Sequence, residues 1–84
     1  MTRILYFGKL RDAAGRASQD AAPPSDIATV GQLIAWIGAD RPDLADALSQ
    51  PSVRVAIDQE IAAGPDAPLA GAGEIAFMPP MSGG

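Results

Sequence analysis

The segment Thr29-Val30-Gly31-Gln32 constrains this chain more than any other, because it reads as a helix start followed by one apolar stripe. The Thr29 hydroxyl can accept from the Gln32 backbone N–H while the Gln32 side chain reaches back to the N–H of Thr29, the reciprocal pairing of a capping box. Val30, Leu33, Ile34 and Ile37 then recur at i, i+3, i+4 and i+7, which puts all four on one face for burial. Trp36 is off that stripe and Gly38 closes the segment. A helix with one apolar face buries it against a second layer, and the other apolar segments are of a kind that builds strands.

Ile4-Leu5-Tyr6-Phe7 is a short apolar run stopped by Gly8, which predicts a buried first strand. Val53, Val55 and Ile57 alternate with Arg54, Ala56 and Asp58, the period of a half-buried strand. Glu74–Met78 resumes the alternation with Ile75 and Phe77 on one face, and Pro79-Pro80 ends the pairing. Residues 16–22 have weaker strand character and run into Pro23-Pro24, neither of which can donate to a ladder, so a strand here belongs at an edge. Between these lie two short helices. Lys9–Ala14 is built of helix formers and stops at Gly15, and Pro42 opens a turn into 43–48, where Leu44 and Leu48 are spaced i, i+4. Gly64-Pro65-Asp66 and Gly71-Ala72-Gly73 read as turns around Leu69, the second as a hairpin turn. Strand, weak strand, helix, strand, strand is an α+β order. A four- to five-stranded mixed sheet packed on one main helix, with the first and last strands adjacent at its centre, satisfies it. This is the β-grasp, or ubiquitin-like, arrangement, expected over residues 1–80. Residues 81–84 carry no pattern that would hold them on a core and are expected to project as a flexible tail.

Composition narrows the chemistry. With 84 residues, the chain has one core and little structure to spare for an enclosed active site. It contains no Cys and no His, which excludes a disulfide scaffold, a thiolate zinc site, a redox thiol pair and an imidazole base. Six Lys and Arg against ten Asp and Glu leave a net charge of −4, so nucleic acid is not an expected partner. No apolar run approaches the roughly 20 residues that span a bilayer, and a cytoplasmic location is expected.

Few side chains remain for a site. Asp58 and Glu60, spaced i, i+2, would share a strand face and could work as an acid/base or hard-metal pair, but no third ligand is visible and a solvated strand end accounts for them. No metal site is expected. Gly71-x-Gly73 lacks the third glycine, the helix and the Lys of a phosphate loop. Lys9, Arg11 and Arg16 cluster after the first strand, where they would meet an acidic partner or simply water. The end of the chain differs in kind. A terminal carboxylate is a poor electrophile, yet once adenylated by a partner it becomes an acyl group open to a sulfur or nitrogen nucleophile. Gly83-Gly84 has no β-carbons and can enter a channel too narrow for side chains, and Met81-Ser82-Gly83-Gly84 can extend about 13 Å.

Several segments together resemble the small subunit of molybdopterin synthase. They are Leu5-Tyr6-Phe7 with Leu10-Arg11-Asp12-Ala13-Ala14-Gly15, Thr29-Val30-Gly31-Gln32-Leu33, Val55-Ala56-Ile57-Asp58-Gln59-Glu60, Ala67-Pro68-Leu69, and the run from Glu74-Ile75-Ala76-Phe77-Met78 into Pro79-Pro80-Met81-Ser82-Gly83-Gly84. The last is the most specific, since ubiquitin-like proteins in general share Gly-Gly but not Pro-Pro-x-Ser-Gly-Gly. Asp58 stands where that family usually has Asn, and Gly73 where an Asp commonly precedes the Glu. The resemblance implies a sulfur carrier without catalytic activity of its own. Gly84 would be adenylated by an ATP-dependent activating enzyme, converted to a thiocarboxylate and inserted into the large synthase subunit of a heterotetramer. Its sulfur would go to cyclic pyranopterin monophosphate to form the dithiolene of molybdopterin. No cofactor would be bound, ATP being used by the activating enzyme.

The resemblance also assigns Phe7, Arg11, Ile61, Met78, Pro79 and Pro80 to the partner interface. Alternation agrees for Met78, which falls on the outer face if Ile75 and Phe77 face the helix; which face Phe7 takes is left open. Two other readings share the fold. One is a sulfur carrier for thiamin thiazole or cysteine synthesis; the other is a ubiquitin-like modifier or plain interaction domain, with Lys9 the only lysine available for self-conjugation.

Overall fold

The reciprocal cap forms: the Gln32 N–H donates to Thr29 Oγ1 at 3.3 Å and the Thr29 N–H to Gln32 Oε1 at 3.2 Å. The computed structural model describes residues 1–79. Their order is β1 (Thr2–Tyr6), α1 (Lys9–Ala14), β2 (Ser18–Ala21), α2 (Val30–Ile37), α3 (Pro42–Leu48), β3 (Arg54–Ile57), β4 (Glu60–Ile61) and β5 (Glu74–Met78). The strands make one sheet in the order β2-β1-β5-β3-β4. β1 and β5 are parallel at its centre and all other pairs are antiparallel, which is the β-grasp topology. Met81, Ser82, Gly83 and Gly84, with Pro80, lie outside the described residues, so the expectation of a projecting tail does too.

The core is the layer between α2 and one face of the sheet. Val30, Leu33 and Ile34 of α2 are buried, and so are Ile4, Tyr6, Ile75 and Phe77, none more than 1% exposed on the sheet side. Burying a side chain of this size stabilises by about 1.5–3 kcal/mol, so these seven carry much of the fold. The Tyr6 and Phe77 rings, paired across the two central strands, stack with centroids 5.9 Å apart. Ile37, on the last turn, is only half-buried, and Trp36 also packs against the core although it lies off the stripe. Leu10 and Ala14 of α1 and Leu44 and Leu48 of α3 close the end of the layer. Gly15 ends α1 in the left-handed conformation, as its position predicts. Arg41, just before α3, donates to the carbonyls of Ala13 and Ala14, supplying partners that the end of a helix lacks.

The segment 62–73 is the long connection of the fold, and it closes the start of α2. The Val30 N–H donates to the Ala67 carbonyl at 3.1 Å and the Gly31 N–H to that of Pro65 at 2.9 Å. With Gln32 served by Thr29, the first-turn donors of the helix are all engaged. Gly71-Ala72-Gly73 is therefore not a hairpin turn as expected from its glycines. β4 does not pair with β5, and the turn, with Ala70 at φ 52° and Gly71 at φ 71°, delivers the chain from the edge to the centre of the sheet.

Two further expectations are corrected. The first strand starts at Thr2, two residues earlier than the apolar run, because sheet pairing is a backbone property: the Arg3 N–H donates to the Gly73 carbonyl at 2.8 Å, and Thr2 and Arg3 are the register partners of Ala21 and Asp20. Phe7 leaves the strand. Asp58 and Glu60 do not share a strand face. Asp58 and Gln59, at φ 47° and 73°, form a two-residue turn that sets Ile57 opposite Glu60. Positive φ at both central residues is the demand of a type I′ hairpin.

Candidate functional site

Alternation along the strands gives the sheet a second face, pointing away from α2. Leu5 of β1 is the register partner of Ala76, Ala76 of Ala56, and Ala56 of Ile61, so these four residues cross the sheet in one row. The next row toward the end of β5 pairs Met78 with Arg54. None of Leu5, Ala56, Ala76, Ile61 and Met78 belongs to the packed core cluster. The row is apolar nonetheless. Two alanines lie low in the middle between larger side chains, and Ile61 at one end is 59% exposed.

Phe7 joins this surface. Its N–H donates to the Phe77 carbonyl at 3.1 Å, the last bond between the central strands, and its side chain is 46% exposed. The open orientation is thus outward. Met78 and Pro79 are half-buried, and Pro79 packs against Gly8. An apolar strip therefore runs from Ile61 across the sheet to Phe7 and Met78, and Pro79 follows where the chain leaves β5. Exposed Phe and Ile side chains flanking a contiguous strip are what a partner surface desolvates.

Charge is distributed unevenly about the strip. Arg11 is exposed on α1, and among the described residues Lys9, Arg11, Arg16 and Arg54 make no ion pair, whereas Arg3 and Arg41 pair with Asp20 and Asp43. Lys9 and Arg11 come two and four residues after Phe7, and Arg54 stands opposite Met78. The Asp58 carboxylate, at the other end of the sheet, accepts from the N–H groups of Gly73 and Glu74, both at 3.0 Å. That fastens the β3–β4 turn to the start of β5 and commits the side chain to structure. No group of acidic residues among the described residues is arranged to hold a metal. Burial raises the Tyr6 phenol above its ordinary pKa, opposed by Arg16 and Arg41, and its hydroxyl lies 3.4 Å from Gln19 Oε1. Its ring belongs to the core.

An open groove of about 380 Å³ lies beside α2, lined chiefly by Val30, Ile34, Leu48, Val53 and Val55, with Arg54 its one charged residue. The structure thus brings Ile61 and Met78 to one face with exposed Phe7 at the end of β1, sets Pro79 against Gly8, and leaves Arg11 exposed on α1. The central row of Leu5, Ala56 and Ala76 was not singled out by the sequence, because alternation alone does not say which strands are neighbours.

A model of the ThiS family matches residues 4–84. The molybdopterin synthase sulfur carrier subunit of Escherichia coli (strain K12) is 31% identical over 84 residues, covering all of both chains. Among solved structures, SAMP1 from Haloferax volcanii superposes with a TM-score of 0.76 at 26% identity, covering 99% of this chain and 98% of that one. Mycobacterium tuberculosis CysO superposes with a TM-score of 0.73 at 18% identity, over 96% of this chain and 100% of that one, a likeness of fold.

Proposed function

We propose, from the premise that this chain belongs to the ThiS family of ubiquitin-like sulfur carriers, that it is the sulfur-donating small subunit of a molybdopterin synthase. The observation that carries this reading is the end-to-end identity with the Escherichia coli sulfur carrier subunit. The apolar strip supports it, because a carrier whose side chains offer no catalytic set must present its chain end to enzymes that do.

In this reading the Gly84 carboxylate attacks the α-phosphorus of ATP on an activating enzyme, giving an acyl adenylate and pyrophosphate. A sulfur donor then displaces AMP and leaves a thiocarboxylate. The strip from Ile61 to Phe7, Met78 and Pro79 docks on the large synthase subunit, and residues 80–84 reach its active site. Five extended residues span about 16 Å. The thiocarboxylate sulfur bonds to cyclic pyranopterin monophosphate, and water then cleaves the acyl–sulfur bond, which leaves the sulfur on the pterin and returns Gly84 to a carboxylate. A heterotetramer of two small and two large subunits in the cytoplasm completes the reading.

Incubation with ATP, an activating enzyme and a sulfur donor should raise the intact mass by about 16 Da, oxygen replaced by sulfur. The product, mixed with a large synthase subunit and cyclic pyranopterin monophosphate, should yield molybdopterin. A second reading is favoured by the likeness to SAMP1, a protein described as a small archaeal modifier. It requires an isopeptide bond from Gly84 to a lysine of another protein. Conjugates formed without any thiocarboxylate would replace the carrier reading with this one.

A further inference from the structure

β1 and β5 run parallel, and the bond from the Phe7 N–H to the Phe77 carbonyl is the last between them, so the residues that follow leave the sheet side by side. At that point Gly8 adopts φ 56° and ψ −136°, a backbone conformation that residues with a β-carbon rarely enter. Its missing β-carbon is occupied space. A β-carbon built there would lie 2.7 Å from Pro79 Cγ, 3.5 Å from Cδ and 3.8 Å from Cβ. Contact at 2.7 Å is far inside the usual carbon–carbon separation of about 3.5–4.0 Å, so ring and methyl cannot both stay. The proline ring therefore rests on the bare α-carbon of Gly8.

The same ring begins the C-terminal segment. Pro79 has a fixed φ and no N–H, so it cannot continue the ladder with β1, and Pro80 after it restricts Pro79 to extended backbone. Whatever orients Pro79 also sets the point and direction from which the chain toward Gly84 continues. We propose that Gly8 is a positioning residue, a seat for Pro79 that sets the direction in which the C-terminal segment leaves the domain. For its effect on sulfur transfer this rests on the carrier reading above. Gly8 touches no reacting atom and acts through Pro79 alone.

The test is a four-chain cycle of wild type, Gly8→Ala, Pro79→Ala and the double variant, each prepared as the preformed thiocarboxylate and mixed with a large synthase subunit and cyclic pyranopterin monophosphate. Pro79→Ala removes Cγ and Cδ and leaves only the carbon at 3.8 Å, an ordinary contact. Gly8→Ala is expected to slow single-turnover transfer about tenfold, since misplacement on the order of 1 Å costs up to about a hundredfold, with the dissociation constant for the large subunit kept within about twofold. In the Pro79→Ala background the same change should slow transfer no further. If the loss persists undiminished there, it comes from backbone strain at Gly8 and the seat is overturned. Unchanged transfer by Gly8→Ala overturns the aiming role. Melting temperatures of the same chains read the contact independently of sulfur chemistry: Gly8→Ala should lower the midpoint by about 4–8 °C beside Pro79 and by roughly half as much beside Ala. Additive losses overturn the seat, and if wild type itself transfers no sulfur, the carrier reading falls while this thermal cycle still decides the contact.

Discussion

Ala76 and Phe77 are consecutive residues of β5, both buried, and they belong to different surfaces. Phe77 points into the layer beneath α2, stacked on Tyr6 and closed off from water. Ala76 points the other way, into the row between Leu5 and Ala56 that ends at exposed Ile61. One face joins large side chains to a helix and has no surface left to offer. The other places small residues at its centre and larger apolar ones at its margins, with no helix laid over it among the described residues. The period of two in a strand lets five residues serve two faces, stability inward and, in the carrier reading, recognition outward. Substitutions on the two faces should therefore separate folding from function even when they are neighbours in the chain.

The largest effect is expected inside. Phe77→Ala should cost about 3–5 kcal/mol by opening a cavity against Tyr6 and α2, read as a lower denaturant midpoint, with any loss of binding following from unfolding. Retention of the wild-type midpoint would break the assignment of this face to the core. Next comes the chain end: deleting Gly84 leaves every described packing contact in place and should leave the melting temperature unchanged, while molybdopterin formation falls at least about a hundredfold because the activated carbonyl stops about 3.3 Å short. Full turnover by the shortened chain would end the carrier mechanism.

One residue beyond Phe77, Met78→Asp should weaken binding of a large synthase subunit by about tenfold or more through an unpaired charge in a desolvated interface. Its circular dichroism spectrum should match wild type. Calorimetric titration decides this, and an unchanged affinity would remove Met78 from the docking face. The smallest effect sharpens the inner face. Because the folded pKa of Tyr6 is raised, the stability contributed by its neutral phenol is present below the unfolded value of about 10 and is lost as pH rises through the folded value. Melting temperatures should fall above about pH 10 in wild type, and Tyr6→Phe should flatten that alkaline decline.

Legibility followed how local each determinant was. Thr29 and Gln32 are three residues apart and their bonds lie within one helical turn, so the cap of α2 could be read directly. Gly15 and Pro42 are equally local signals, and both helix boundaries fell where those residues place them. The Asp58-Gln59 turn was hidden because neither residue is a glycine, and the alternation of Val53, Val55 and Ile57 runs on through Asp58 without a visible break. What stabilises that turn, the amides of Gly73 and Glu74, lies fifteen and sixteen residues away. On the candidate site, alternation after Phe77 placed Met78 outward, but Phe7 ends an unbroken apolar run, and its side followed only once the structure put Ile4 and Tyr6 in the core and Leu5 on the other face.

By itself, then, the sequence determined the elements, their periods, the Gly-Gly end and the absence of any side chain able to carry thiol or imidazole chemistry, since each of these depends on residues close together or on residue types alone. The tertiary structure decided which strands are neighbours. Through that it decided that Leu5, Ala76, Ala56 and Ile61 form one row, that Phe7 joins it, and that Gly8 lies beneath Pro79, because the Leu5–Ala76 and Gly8–Pro79 neighbours, about seventy positions apart, follow from strand order and register, which no short window of sequence encodes.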